Sequence, residues 1–147
     1  MIIRAALIAE RANLEALQWR ASLANPGDRD ALLANPDAIE IPSEHIADGH
    51  LSVAEDDGVI VGFATVLPRP DGNAELDALF VEPGLWKRGV GRLLVERCAD
   101  VARARRSRVL HVVGNPHAEG FYIACGFHTR GTIETRFGPG LAMERLL

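Results

Sequence analysis

The residues with the clearest chemical meaning form a loop that contains two glycines and three cations, Trp86-Lys87-Arg88-Gly89-Val90-Gly91-Arg92. A predicted strand precedes this loop, and a predicted amphipathic helix begins at Val90. A helix N-terminus normally attracts Ser, Thr, Asp or Asn and acidic residues, because its first N–H groups are unpaired and carry partial positive charge. Glycines that allow close backbone approach, combined with cations, instead favour an anion such as a phosphate. The loop is therefore predicted to bind an anion, and the alternative is a glycine-containing loop with solvated basic side chains.

Two familiar phosphate-binding motifs do not match the loop. A Walker loop has Ser or Thr after Gly-Lys, whereas here Leu93 follows Gly91-Arg92. A dinucleotide fingerprint needs a third glycine, where Leu94 stands, and an acidic residue at the end of the next strand, which is also missing. A Rossmann-type nucleotide-binding protein is thus the weaker alternative from another functional class.

The composition favours one globular domain in the cytoplasm. The chain has 147 residues, of which 48% are hydrophobic and 24% charged, and this balance suggests neither disorder nor a membrane span. A net charge of -4 gives no support for nucleic-acid binding. Cys98 and Cys125 have no C-x-x-C spacing and are expected to be reduced thiols. The apolar N-terminal run meets Glu10 too early to be a signal peptide.

The order of the predicted elements indicates a single mixed-sheet α+β domain over residues 1–147, with about seven strands and about four helices. Turn signals at 56–58, 68–73 and 138–140 separate neighbouring strands. Asp28 is predicted to be the N-cap of the second helix. The strands are expected at 2–8, 51–55, 59–67, 74–81, 108–113, 127–136 and 141–147, and the helices at 10–24, 28–34, 90–104 and 115–126.

A second informative stretch, Asn115-Pro116-His117-Ala118-Glu119-Gly120-Phe121-Tyr122-Ile123-Ala124-Cys125-Gly126-Phe127, follows the fifth predicted strand. Together with the loop and the order of elements, it resembles the Gcn5-related N-acetyltransferase (GNAT) superfamily over nearly the whole chain. The loop resembles that superfamily's acetyl-CoA pyrophosphate motif, and Leu79-Phe80-Val81-Glu82-Pro83 before it is also typical. Trp86 departs from the pattern, because Gln or Arg usually stands there. The phosphate-binding amides follow this residue, so binding is expected to survive.

The resemblance implies a sheet splayed between the fourth and fifth strands, with the pantetheine arm of acetyl-CoA entering the gap like an extra strand. Main-chain N–H groups near 79–81 would face the acetyl carbonyl and the pantetheine amides, which is a preorganised set of donors. The pyrophosphate would rest on the amides of 88–92, and Asn115 would hydrogen-bond the pantetheine arm. The donor-binding residues expected on this basis are Leu79, Phe80, Val81, Lys87, Arg88, Gly89, Val90, Gly91, Arg92, Asn115 and Phe121.

The implied reaction is direct transfer of an acetyl group from acetyl-CoA, in a ternary complex, to an amine of a small molecule or of a peptide or protein. A primary amine with a pKa of roughly 10 must lose a proton before it attacks, and the coenzyme A thiolate must gain one. Tyr122 stands at the position of the family's usual general acid. The alternative is that its ring merely packs beside Phe121.

Candidates for the base lie on the strand before the loop. Strand alternation is expected to place Glu75 and Asp77 on one face, in a row continued by Leu79 and Val81. Either carboxylate, with Glu75 ranked first, could take the ammonium proton directly or through water, bind a cationic substrate, or simply face solvent. His111 on the next strand ranks lower, because a lone strand histidine is more often structural.

The acceptor pocket of such proteins is usually shaped by the first two helices and the final hairpin, here residues 19–43 and 134–141. These segments contain possible carboxylate clamps and amine-attracting residues, namely Arg20, Arg29, Arg136, Glu40, Glu44 and Glu134. This mixture of charges fits an amino-acid-like or small polyfunctional amine as acceptor, and the terminus of a protein is the alternative acceptor. The histidines show no metal-ligand spacing, so no metal is expected. Relatives often form homodimers, and a non-catalytic acyl-CoA sensing module is the alternative within the fold.

Overall fold

Seven strands form one mixed sheet in the computed structural model, which describes residues 1–147. Their order in space is β1-β2-β3-β4-β5-β7-β6. Every neighbouring pair is antiparallel except β4 and β5, which are parallel. This arrangement confirms the predicted mixed sheet and excludes the doubly wound parallel sheet of a Rossmann-type protein. The strands are β1 Ile2–Ala5, β2 Leu51–Asp56, β3 Val59–Pro68, β4 Ala74–Val81, β5 Val109–Gly114, β6 His128–Thr135 and β7 Gly138–Leu146.

Five helices cover the two faces of this sheet, and short 3₁₀ turns at 8–10, 83–85 and 116–118 join several elements. The longest helix starts and ends where the periodicity predicts. None of the helices combines the length and the apolar character needed to cross a membrane. The helices are α1 Arg11–Ala24, α2 Arg29–Ala34, α3 Ser43–Ala47, α4 Val90–Ala104 and α5 Glu119–Ala124.

Two hydrophobic cores hold the helices to opposite faces of the sheet. The larger core contains the predicted stripe of α4, with Val90, Leu94 and Cys98 fully or almost fully buried. The smaller core contains Leu14 and Leu17 of α1, which are also buried. Apolar residues that recur at helical spacing bring one face of each helix onto the sheet, and burial of this area is the main stabilising contribution. The middle strands are thereby fixed from both sides.

The parallel pairing between β4 and β5 is short. It covers only Ala74 with Leu110, Glu75 with His111, and Leu76 with Val112, whereas β4 continues to Val81. The β5-facing edge of β4 therefore has no strand partner beyond Leu76. Backbone donors and acceptors on such an edge are open to an added chain.

A bulge interrupts β4 at Asp77. Its neighbours Leu76 and Ala78 pair with consecutive residues of β3, so Asp77 has no partner there. Leu76 packs toward α4 before the bulge, and Leu79 does so after it. The alternation of side chains thus shifts by one residue, as a single inserted residue requires. The predicted unbroken row of side chains over Glu75–Val81 was wrong for this reason.

The final hairpin turns two residues earlier than predicted. The turn lies at 136–137, and residues 138–140 belong to β7. The Thr135 hydroxyl donates to the Gly138 carbonyl at 2.7 Å and accepts from the Phe137 N–H at 3.1 Å. Gly138 has a φ of 108°, which glycine adopts without a side-chain clash. The hydroxyl of Thr135 and the positive φ of Gly138 thus define the turn.

Candidate active site

An open pocket of about 630 Å³ lies where β4 and β5 separate. Its walls come from residues 76–81 of β4, from the loop around 85–92, and from the segment around 112–125 that ends β5 and continues into α5. Ala21, Asn25 and Asp28, at the end of α1 and before α2, complete the lining. We call it the β4–β5 pocket. Its size is within the range of small-molecule and cofactor sites, and its lining is mostly apolar.

The loop at one end of this pocket presents unpaired backbone donors. The first hydrogen bond of α4 runs from the Leu93 N–H to the Gly89 carbonyl at 3.1 Å, and the amides from Lys87 to Arg92 donate to no acceptor in the protein. Gly89 is the N-cap of α4 and has a φ of 87°, while Lys87 has a φ of 63°. Left-handed residues in such a turn aim successive N–H groups at one point, which makes a concave anion site. A lysine in this strained conformation is a further sign that the loop geometry serves a ligand.

Most of the predicted phosphate-binding residues line the β4–β5 pocket, but two do not. Lys87, Gly89, Gly91 and Arg92 are part of its wall, whereas the exposed Arg88 is not. The side chain of Val90 is buried in the core and leaves only its backbone for binding. The groups available to an anion on this side of the pocket are therefore backbone N–H groups and two cationic side chains.

Phe121 closes the same end of the pocket. A Cβ at Gly91 would lie 3.1 Å from the Phe121 Cζ, so glycine allows the ring to lie against the start of α4. Phe121 lines the β4–β5 pocket and is partly exposed.

Trp86 has a role that the sequence did not indicate. Its indole Nε1–H donates to the Val81 carbonyl at 2.8 Å. The bond ties the glycine-containing loop to the last residue of β4. The side chain that departs from the usual Gln or Arg thus positions the loop through a contact within the protein.

Tyr122 of α5 lines the β4–β5 pocket. Its ring is buried between Phe121 and Phe127, with edge-on centroid distances of 5.2 and 5.5 Å. A Cβ at Gly114 would lie 3.1 Å from the same ring, so the ring packs directly on the end of β5. These contacts hold Tyr122 in one position.

The Tyr122 hydroxyl is available to a ligand. No group of the protein hydrogen-bonds it, and no side-chain oxygen or nitrogen is both fully buried and unpartnered, so the hydroxyl must open onto the pocket. Burial raises the pKa of Tyr122 well above its usual range, and the nearby Cys125, Asp28 and Cys98 raise it further. The group therefore keeps its proton at neutral pH.

The structure separates the candidate bases. Asp77, at the bulge, is exposed and lines the β4–β5 pocket, whereas Glu75 does not. His111 is also outside the pocket, with its Nδ1 3.7 Å from the Glu144 Oε2, which fits a structural role. Tyr122 and Asp77 share the pocket.

The model of the acetyltransferase (GNAT) family matches residues 12–127. The chain belongs to this family. It is therefore an N-acetyltransferase that uses acetyl-CoA as its acyl donor. No curated protein matches the chain.

Solved structures support the same fold. A Gcn5-related N-acetyltransferase from Rhodopseudomonas palustris is 22% identical with a TM-score of 0.80, and the match covers 99% of this chain and 95% of that one. A ribosomal-protein-alanine N-acetyltransferase from Brucella melitensis is 26% identical with a TM-score of 0.74, and both chains are covered completely, at 100%. The PaiA N-acetyltransferase from Thermoplasma acidophilum, solved with coenzyme A, is 17% identical with a TM-score of 0.78, covering 99% and 98% of the two chains.

A second pocket of the acetyltransferase, of about 310 Å³, lies on the other side of residues 113–117. Its remaining walls are formed by Gly27 and Asp28 before α2 and, around the β6–β7 turn, by Thr135, Phe137, Pro139 and Gly140. We call it the hairpin pocket. It shares Asp28, Val113, Asn115 and His117 with the β4–β5 pocket, so the two pockets meet at these residues.

Asp28 lies at this junction in an unexpected orientation. It precedes α2 as predicted, but its side chain does not cap the helix. Its Oδ1 instead accepts from the Asn115 Nδ2 at 3.1 Å. The Asn115 Oδ1 accepts from the His117 N–H at 2.9 Å, which orients the amide. Burial raises the pKa of the Asp28 carboxyl, and the Asn115 hydrogen bond and the nearby His117 oppose this in part.

The charged residues expected to hold an acceptor carboxylate are engaged elsewhere. The Arg20 guanidinium pairs with Glu82, with Nε 2.8 Å from Oε1. Arg29 donates to the Leu23 carbonyl, and Arg136 lies over the Phe137 ring. None of these three arginines, nor Glu40, Glu44 or Glu134, lines either pocket. No group of three or more His, Cys, Asp or Glu side chains is arranged to hold a metal ion.

Proposed function

We propose that this acetyltransferase acetylates a primary amine of a small molecule by direct attack on bound acetyl-CoA in a ternary complex. The observation that carries the proposal is the set of unpaired amides from Lys87 to Arg92 at one end of a pocket into which the Tyr122 hydroxyl opens. An amine of a peptide or protein is the second candidate, because the Brucella melitensis structure at 26% identity is a ribosomal-protein-alanine N-acetyltransferase.

The residues of the β4–β5 pocket fit acetyl-CoA as donor substrate. The pyrophosphate would bind the amides and the cations Lys87 and Arg92, since a helix N-terminus with unpaired N–H groups attracts phosphate. The pantetheine arm would lie along the open edge of residues 79–81, where backbone groups lack a strand partner. Phe121 would cover the arm. Arg88, on the exposed side of the loop, would add long-range attraction only.

Tyr122 would supply the proton that coenzyme A needs as it leaves. In the transfer a C–N bond forms, the thioester C–S bond breaks, and the sulfur takes the electron pair. The hydroxyl has its proton at neutral pH and lacks a competing partner in the protein. A positioned donor of this kind typically contributes about 10²- to 10⁴-fold in rate.

Asp77 is the strand carboxylate that we propose as proton acceptor for the amine. It lines the β4–β5 pocket and is exposed, so water can carry the proton between the amine and its carboxylate. Glu75, ranked first from the sequence, precedes the bulge and lines neither pocket. We therefore rank Asp77 ahead of it.

We also infer a cytoplasmic location, because both cysteines are free and buried and would stay reduced there. A homodimer stays a prediction of the family resemblance, and light scattering at several protein concentrations would test it.

Thiol release in the presence of acetyl-CoA and a panel of amines tests the proposed reaction. The panel would include alkyl diamines, amino sugars, amino acids and a short peptide with an N-terminal alanine. We expect amine-dependent release, together with an acetylated small amine detected by mass spectrometry. Acetyl-CoA binding without release for any amine would favour the sensing module, and release for the peptide alone would favour the protein acceptor.

A further inference from the structure

We infer that Asp28 binds the ammonium group of the acceptor where the two pockets meet, so that the substrate is a cationic amine without a neighbouring carboxylate. The inference rests on the proposed transfer to amines and narrows it to a substrate class. It assigns the donor to the β4–β5 pocket and the body of the acceptor to the hairpin pocket.

The placement of Asp28 supports this assignment. Asp28 lines both pockets, Tyr122 lines one of them, and the Asp28 charge contributes to the raised pKa of the Tyr122 hydroxyl. An amine held at Asp28 would therefore lie in the pocket that also contains Tyr122 and the open edge of β4.

The Asp28 carboxylate lacks the partners that a partly buried charge normally has. It makes no salt bridge, it does not cap α2, and its one hydrogen bond comes from the neutral amide of Asn115. A charge removed from water is costly unless a counter-ion or several hydrogen bonds compensate for it. A bound ammonium group would supply the missing charge and up to three donors.

Asn115 positions this carboxylate. The His117 N–H holds the amide oxygen at 2.9 Å, so the amide nitrogen is directed at Asp28. Gly27 lies directly against the same amide, since a Cβ at Gly27 would overlap Asn115. The loop before α2 is thus fixed against the end of β5.

The other residues that line the hairpin pocket limit which chemical groups the acceptor can carry beside its amine. Asp28 is its one carboxylate, His117 is its one side chain that can become cationic, and no arginine or lysine lines it. Its other walls include Thr135, Phe137 and Pro139, which offer a hydroxyl and apolar contacts. The carboxylate of an α-amino acid would lie beside Asp28 with no arginine or lysine to pair with, and like charges repel. An alkyl or sugar amine avoids this cost.

Steady-state kinetics of Asp28→Asn would test the inference, with the panel amine of highest kcat/KM as probe. Asparagine is isosteric and keeps an oxygen for the Asn115 hydrogen bond. Because a hydrogen bond to a charged group is lost, we expect KM for the amine to rise roughly tenfold to a hundredfold. The acetyl-CoA affinity measured by calorimetry should not change. Asp28→Glu should recover part of the loss, since it restores the charge.

Asp30→Asn is the matched control, because this exposed residue on α2 has the same charge and lines neither pocket. Its kinetics should match those of the wild type. If the wild type transfers acetyl groups but Asp28→Asn keeps the wild-type KM, or if an amino acid is the best acceptor, the inference is refuted and the proposed function stands. If the wild type acetylates no amine, the proposed function itself fails and the inference fails with it.

Discussion

Replacement of Tyr122 by phenylalanine should slow acetyl transfer without weakening the binding of acetyl-CoA or the fold. The hydroxyl has no hydrogen-bond partner in the protein, so its removal leaves no donor or acceptor unpaired. The ring contacts with Phe121 and Phe127, at centroid distances of 5.2 and 5.5 Å, stay in place. The midpoint of thermal unfolding should therefore be unchanged.

The magnitude follows from the role of a positioned acid. Loss of such a group typically costs about 10²- to 10⁴-fold, or about 2.7 to 5.4 kcal/mol in the barrier. Thiol release from pre-bound acetyl-CoA, measured in a single turnover with saturating amine, would isolate this step from binding. A Tyr122→Phe variant with a single-turnover rate within about threefold of the wild type would refute the role of the hydroxyl as acid.

Two further variants probe the contacts around the site. Trp86→Phe loses the 2.8 Å hydrogen bond to the Val81 carbonyl. Because a hydrogen bond contributes a net of about 0.5–1.5 kcal/mol, the variant should bind acetyl-CoA roughly twofold to tenfold more weakly, as measured by calorimetry. Unchanged affinity would mean that the loop does not depend on this contact. Burial raises the pKa of Asp28, so the charged form of its carboxyl is disfavoured in the folded protein. Stability is therefore lost as the pH rises from the ordinary pKa of an aspartate through this raised pKa. Thermal unfolding of Asp28→Asn at pH 7 should therefore occur at the wild-type temperature or above it, whereas a lower temperature would indicate a structural role for the carboxylate.

Features set by neighbouring residues could be predicted from the sequence. The amphipathic period and the glycine at its start defined α4 over Val90–Ala104, and the residues around Asn115 and Tyr122 identified the second wall of the pocket. Because these patterns depend on local spacing, they could be recognised without knowledge of the contacts between distant segments. The family resemblance then supplied the expected splay between the fourth and fifth strands.

Features set by distant contacts could not be predicted in the same way. The bulge at Asp77 depends on how β4 pairs with β3, and no local residue marks it. Asp28 has the residue type of a helix cap, and its actual partner Asn115 lies 87 positions away. The Trp86 bond to the Val81 carbonyl follows from the path of the chain at the end of β4, and the residue types alone do not reveal it.

The most direct test of the central claim is a calorimetric comparison of acetyl-CoA with S-acetylpantetheine, which keeps the acetyl group and the pantetheine arm but lacks the pyrophosphate and the adenosine 3′-phosphate beyond it. If the unpaired amides from Lys87 to Arg92 hold the pyrophosphate, acetyl-CoA should bind at least a hundredfold more tightly than the fragment, because several charge-assisted hydrogen bonds are lost with the phosphates. Equal affinities, or no binding of acetyl-CoA, would contradict the assignment of the loop and of the β4–β5 pocket.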